Sequence, residues 1–68
     1  MDELPAFHFR TEFDPVQPTR VRWTVWDPNA GVFKSAKSFA TEREAIYNAQ
    51  RFIDRRQNVW QKRYEQNT

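Results

Sequence analysis

RVRWTVWDPNAGVFKSAKSFATERE, residues 20–44, contains a strand, a turn, a returning strand and the start of a helix. From Arg20 to Trp26 the residues alternate, with Val21, Trp23 and Val25 on one face and Arg20, Arg22, Thr24 and Trp26 on the other. This period of two predicts a strand with one face in a core. Asp27-Pro28-Asn29-Ala30-Gly31 then reads as a turn. Pro28 suits its first position, and Gly31, the only glycine of the chain, stands where a left-handed backbone is wanted. The chain returns through residues 32–39 as the second arm of a hairpin. Its parity is ambiguous, because Phe33 and Phe39 share one face and Val32 and Ala36 the other. At Thr41-Glu42-Arg43-Glu44 the pattern is that of a capping box. The Thr41 hydroxyl is expected to accept the N–H three residues on, and the Glu44 carboxylate to reach back to the Thr41 N–H.

Outward from this stretch, Phe7 to Phe13 (FHFRTEF) alternates as well. Phe7, Phe9, Thr11 and Phe13 lie on one face, and His8, Arg10 and Glu12 on the other. The prolines of DPVQPT, residues 14–19, stop this strand and make a stiff connection. Downstream, Ala45, Ile46, Ala49, Phe52 and Ile53 form an apolar stripe at helical spacing. The stripe breaks at Arg56 and Gln57 and resumes at Val59, Trp60 and Tyr64, so the last turns are expected to overhang the sheet. The expected fold is therefore α+β: a three-stranded antiparallel sheet over about 6–13, 20–26 and 32–39, packed against one C-terminal helix over about 42–62. Residues 1–68 form one domain, with the tail EQNT expected to fray.

A chain of 68 residues lies near the lower limit for independent folding. Six Phe, three Trp and two Tyr supply much of the apolar area that such a core needs. Without cysteine the chain has neither disulfides nor thiolate metal ligands, which excludes the usual design of small secreted proteins. No apolar run approaches the roughly 20 residues that span a bilayer. An intracellular, cytoplasmic protein is the expectation. Net charge is +2 and the pI about 9.4. The charge is uneven: residues 1–30 hold three Arg against five acids, and residues 31–68 hold eight Lys and Arg against four acids.

Catalysis finds little support in these residues. His8 is the only histidine and sits on the polar parity of a strand, where a solvated role is the ordinary one. Neither Ser35 nor Ser38 has the neighbours of a nucleophile. A single glycine excludes a Gly-rich phosphate loop, and one imidazole beside Glu12 and Asp14 does not make a metal site. The chain is expected to be no enzyme and to need no cofactor or metal.

Two sets of residues suit a binding partner. Arg20, Arg22, Thr24 and Trp26, with Lys34 or Lys37 across the hairpin according to register, combine phosphate-binding cations with an aromatic side chain. The same residues could equally be a scaffold, the Arg stems shielding the outer face of the sheet and Trp26 covering the hairpin end. Arg55, Arg56, Lys62 and Arg63 surround Trp60 and Tyr64 on the distal helix and offer a partner or dimer surface, unless these aromatics fold back on Phe7, Phe9 or Phe13.

Over residues 20–53, Trp23, Asp27, Pro28, Gly31, Phe39, Thr41, Glu44 and Ala45 make the chain resemble the arm-type DNA-binding domain of phage integrases and the ethylene-response-factor domain of plants. The resemblance implies a three-stranded sheet backed by a helix, with the sheet set into the DNA major groove. Double-stranded DNA, met by the exposed face of the 20–39 hairpin with help from the basic helix end, is the first expectation. The second is a protein partner, as for a phage-encoded inhibitor, an adaptor or a homodimer. It draws on the aromatic excess, the modest net charge and the acidic first strand.

Overall fold

The computed structural model describes residues 6–66, and the side chains of 6–63. Its centre is the strand β2 (Val21–Asp27), paired antiparallel with β1 (His8–Phe13) on one side and β3 (Gly31–Lys34) on the other. The helix α1 (Glu42–Gln66) lies across one face of this sheet. This is the expected α+β architecture. The alternation decides which face is covered: Val21, Trp23 and Val25 are buried beneath the helix with Phe39, Ala45 and Ala49. The two alanines, without bulk, let the helix approach the sheet. Phe52 then stacks its ring 4.9 Å from Trp23 and 5.3 Å from Phe33. The Trp23 indole N–H donates to Asn48 Oδ1 at 2.9 Å, so the largest core side chain is also polar-satisfied.

The strand limits differ from the expected ones by a residue or two, except in the third. β3 ends at Lys34 and does not continue to residue 39. Val25 faces Phe33, so a regular ladder would set Val21 opposite residue 37, yet Val21 pairs with Phe39. Two extra residues loop out between. Ser35 bridges the break, its N–H donating to the Trp23 carbonyl at 3.0 Å and its Oγ accepting the Trp23 N–H at 3.2 Å. Because the insertion is even, Phe33 and Phe39 stay on the helix-facing side. The insertion shifts the register and leaves the parity of the two phenylalanines intact.

In the hairpin turn Asp27 Oδ1 accepts the N–H groups of Asn29 (2.8 Å) and Ala30 (3.2 Å), and Gly31 adopts φ of 104°. A Cβ at Gly31 would meet nothing within 4 Å, so strain there is purely of the backbone. Gly31→Ala is expected to cost about 1–2 kcal/mol, read from the midpoint of urea unfolding.

The helix starts as expected after Thr41, whose Oγ1 accepts the Glu44 N–H at 3.2 Å. The return half of the box differs: Glu44 Oε1 accepts the Thr41 hydroxyl at 3.3 Å, rather than the Thr41 N–H. The helix also runs farther than expected, to Gln66, so Glu65 and Gln66 are helical; residues 67–68 of the tail lie outside the described residues. Twenty-five residues make a rod of about 37 Å against about 23 Å for β2, and the domain's long axis is 47 Å. Among the described residues no helix is long and apolar enough to cross a membrane.

Candidate nucleic-acid interface

With the helix on one side, the other side of the sheet carries the even-numbered residues of β1, β2 and β3. Pairing brings His8, Trp26 and Val32 into one row, Arg10, Thr24 and Lys34 into the next, and Glu12 and Arg22 into a third. The first strand therefore adds Arg10 to the hairpin's cations and sets His8 beside Trp26. Arg10 was legible as outward-facing but not as a neighbour of Trp26, which only the β1–β2 register shows. Its guanidinium carbon stands 5.5 Å from the centroid of the Trp26 ring, a cation–π contact that holds both side chains in place. Trp26 remains 37% exposed and Val32 beside it 55%.

The hairpin residues expected to form this site fall into distinct environments. Thr24 keeps its face but is buried, only 3% exposed, in the row between Arg10 and Lys34, and donates its hydroxyl to Glu12 Oε1 at 3.2 Å. It positions Glu12 and has no surface to offer a partner. Arg20 is also committed: its Nε donates to Ser38 Oγ at 3.0 Å and its terminal nitrogen to the Ser38 carbonyl at 2.8 Å. These bonds tie down the looped segment after β3. Lys37 lies within that segment, outside the ladder, with Nζ 5.7 Å from the Phe39 ring centroid. Lys34 is the lysine opposite Thr24. Arg22 is half-buried, and its Nε has no hydrogen-bond partner among the described residues.

Charge is graded along the face. At the Arg20 and Arg22 end stand Glu12 and Asp14. The N–H of Val16 holds the Asp14 carboxyl below its ordinary 3.8; burial opposes this, and the Gln17 N–H, the Ser38 hydroxyl and the Arg22 charge reinforce it. Asp14 therefore stays anionic and offsets its cationic neighbours. At the opposite end Arg10 and Lys34 flank the Trp26 row, and no carboxylate of β1, β2 or β3 faces outward there. Asp27, next in sequence to Trp26, points to the other side.

That inward carboxylate draws two residues of the second expected surface, Arg56 and Trp60, into the fold. Asp27 Oδ2 accepts Arg56 Nε at 2.6 Å and the Trp60 indole N–H at 3.1 Å, beneath the hairpin turn. Arg56 thus interrupts the apolar stripe in order to meet a buried acid, its guanidinium carbon 4.5 Å from the Phe33 ring centroid. Trp60 does fold back to the sheet, but onto Asp27 rather than onto Phe7, Phe9 or Phe13. Arg63 covers the Trp60 ring at 4.9 Å, while Arg55 and Lys62 are exposed; the Tyr64 side chain lies outside the described ones. The basic helix end lies on the side of the sheet away from Trp26.

The chain matches no family model, no curated protein and no solved structure.

Proposed function

We propose that this chain is a small non-catalytic binding module that contacts duplex DNA through the outer face of its sheet. The observation that carries this reading is the convergence of Arg10, Lys34 and Trp26, from three strands, on a face with no outward carboxylate at that end. Three strands place the outer two about 10 Å apart, which suits a major groove about 12 Å wide. In such a pose Arg10 and Lys34, on the outer strands, meet phosphates on the groove walls, Arg22 meets a phosphate farther along the sheet, and Trp26 reaches base edges from the sheet centre. This is also the mode of docking that the resemblance to the integrase arm-type and ethylene-response-factor domains implies. A DNA partner implies an intracellular place of work.

The test is binding to a mixed-sequence duplex across a salt series. Three phosphate contacts predict a log–log slope of about −2.7, or roughly fortyfold weaker binding between 50 and 200 mM salt. Arg10→Ala and Lys34→Ala are each expected to reduce the slope by about 1. Trp26→Ala is expected to weaken binding and leave the slope unchanged. Absence of binding at low salt, or affinity indifferent to salt, overturns the reading in favour of a protein partner seated on Trp26 and Val32.

A further inference from the structure

Among the described residues β1 is an edge strand, and its hydrogen-bonding phase can be read from its end. The Asp14 N–H donates to the Arg20 carbonyl at 2.9 Å, in the register that sets Glu12 opposite Arg22, Arg10 opposite Thr24 and His8 opposite Trp26. In an antiparallel ladder, residues bonded to the neighbour alternate with residues whose N–H and C=O point away. Hence His8, Arg10 and Glu12 bond inward to β2, while Phe9, Thr11 and Phe13 direct their backbone groups to the open edge. The helix lies over β2, so Phe9 and Phe13 are 36% and 71% exposed on the helix-facing side of that edge. Open edges with apolar flanks invite another strand.

The charges on β1 select which strand. An added antiparallel strand must set outward-bonding residues opposite outward-bonding residues. For a second copy of β1 related by a twofold axis, the centres that meet this condition and keep most of the strand paired are Arg10, Thr11 and Glu12. Centred on Arg10, two arginines face each other; centred on Glu12, two glutamates do. Centred on Thr11, Arg10 faces the partner's Glu12 and Glu12 the partner's Arg10, while Phe9 faces the partner's Phe13 twice. Opposite charges stabilise cross-strand pairs and like charges oppose them. We propose that the chain forms a symmetric dimer through β1 in this Thr11-centred register, making one six-stranded sheet from two copies.

The inference is independent of the DNA reading. A six-stranded sheet spans about 24 Å between its outer strands, too broad for the major groove, so the dimer and the groove-bound monomer are alternative states.

Sedimentation equilibrium without DNA tests the proposal. The weight-average mass is expected to rise from 8.3 kDa toward twice that value with increasing protein concentration. Arg10→Glu and Glu12→Arg are each expected to weaken self-association about tenfold or more. The two variants mixed are expected to form a heterodimer, because every Arg10 and Glu12 position then again faces an opposite charge. The double exchange in one chain is expected to restore the homodimer. Phe13→Glu, at a position that contributes little to the core, is expected to weaken association while leaving the circular dichroism spectrum, and the melting temperature at concentrations where the parent is monomeric, unchanged. A chain that stays monomeric throughout, single charge variants that associate as the parent does, or a mixture that fails to associate overturns the proposal.

Discussion

Asp27→Ala is expected to lower the free energy of unfolding by about 2–4 kcal/mol, a large share of the roughly 3–5 kcal/mol that a core of this size supplies. The carboxylate accepts from four donors: Arg56 and Trp60 on the helix, and the N–H groups of Asn29 and Ala30 in the turn. Its side chain is wholly buried, whereas that of Arg56 is 31% exposed, so solvent reduces the cost of stranding the guanidinium below that of a fully buried pair. Asp27→Asn keeps an acceptor for the turn and loses the ion pair; its expected cost is about 1–2 kcal/mol. Urea unfolding followed by circular dichroism separates the two. A cost for Asp27→Ala below that of an ordinary surface change would mean that the turn and helix end do not depend on this carboxylate.

The same residue gives stability a pH dependence of defined sign. Burial pushes the Asp27 carboxyl up, but the hydrogen bonds from Arg56, Asn29, Trp60 and Ala30 together outweigh it and hold its pKa below 3.8. A carboxyl that binds its proton less readily in the folded state stabilises the fold fully above the ordinary carboxylate range. That contribution is lost as pH falls through the lowered value. Acid unfolding of the parent is therefore expected to be steeper than that of Asp27→Asn below about pH 4.

Trp23→Ala is expected to cost about 3–5 kcal/mol and to leave the chain largely unfolded at room temperature. It removes the ring packed against Phe52 and strands Asn48 Oδ1 without its donor. Trp26→Ala, three residues away, is expected to cost about 1 kcal/mol, well below Trp23→Ala, while weakening DNA binding. Measured side by side in thermal melts and binding titrations, the two replacements should divide, one affecting mainly the fold and the other mainly the partner. Equal destabilisation by both would make Trp26 part of the scaffold and remove it from the interface.

The division between these tryptophans was legible in the chain. Period-two alternation assigns Trp23 with Val21 and Val25 to one face and Trp26 to the other, and the helix covers the first. Thr41 and Glu44 likewise mark the helix start in a span of four residues. What could not be read was any pairing that crosses elements. Thr24 has the parity of an exposed residue but sits on the central strand, where neighbours on both sides bury it. Lys34 and Lys37 were indistinguishable until the two-residue insertion after Ser35 set the register, and Arg10 joined the site only through its place beside β2.

By itself, then, the sequence determined the elements, their order and the faces they present, because caps, turns and alternation act over a few neighbouring residues. The tertiary structure alone decided what Asp27 and Arg56 do. One looked like a turn residue and the other like an exposed base, and they lie 29 residues apart. Their pairing depends on where a helix crosses a sheet, a distance and angle set by Ala45, Ala49 and Phe52 packing under β2 rather than by either residue's own neighbours.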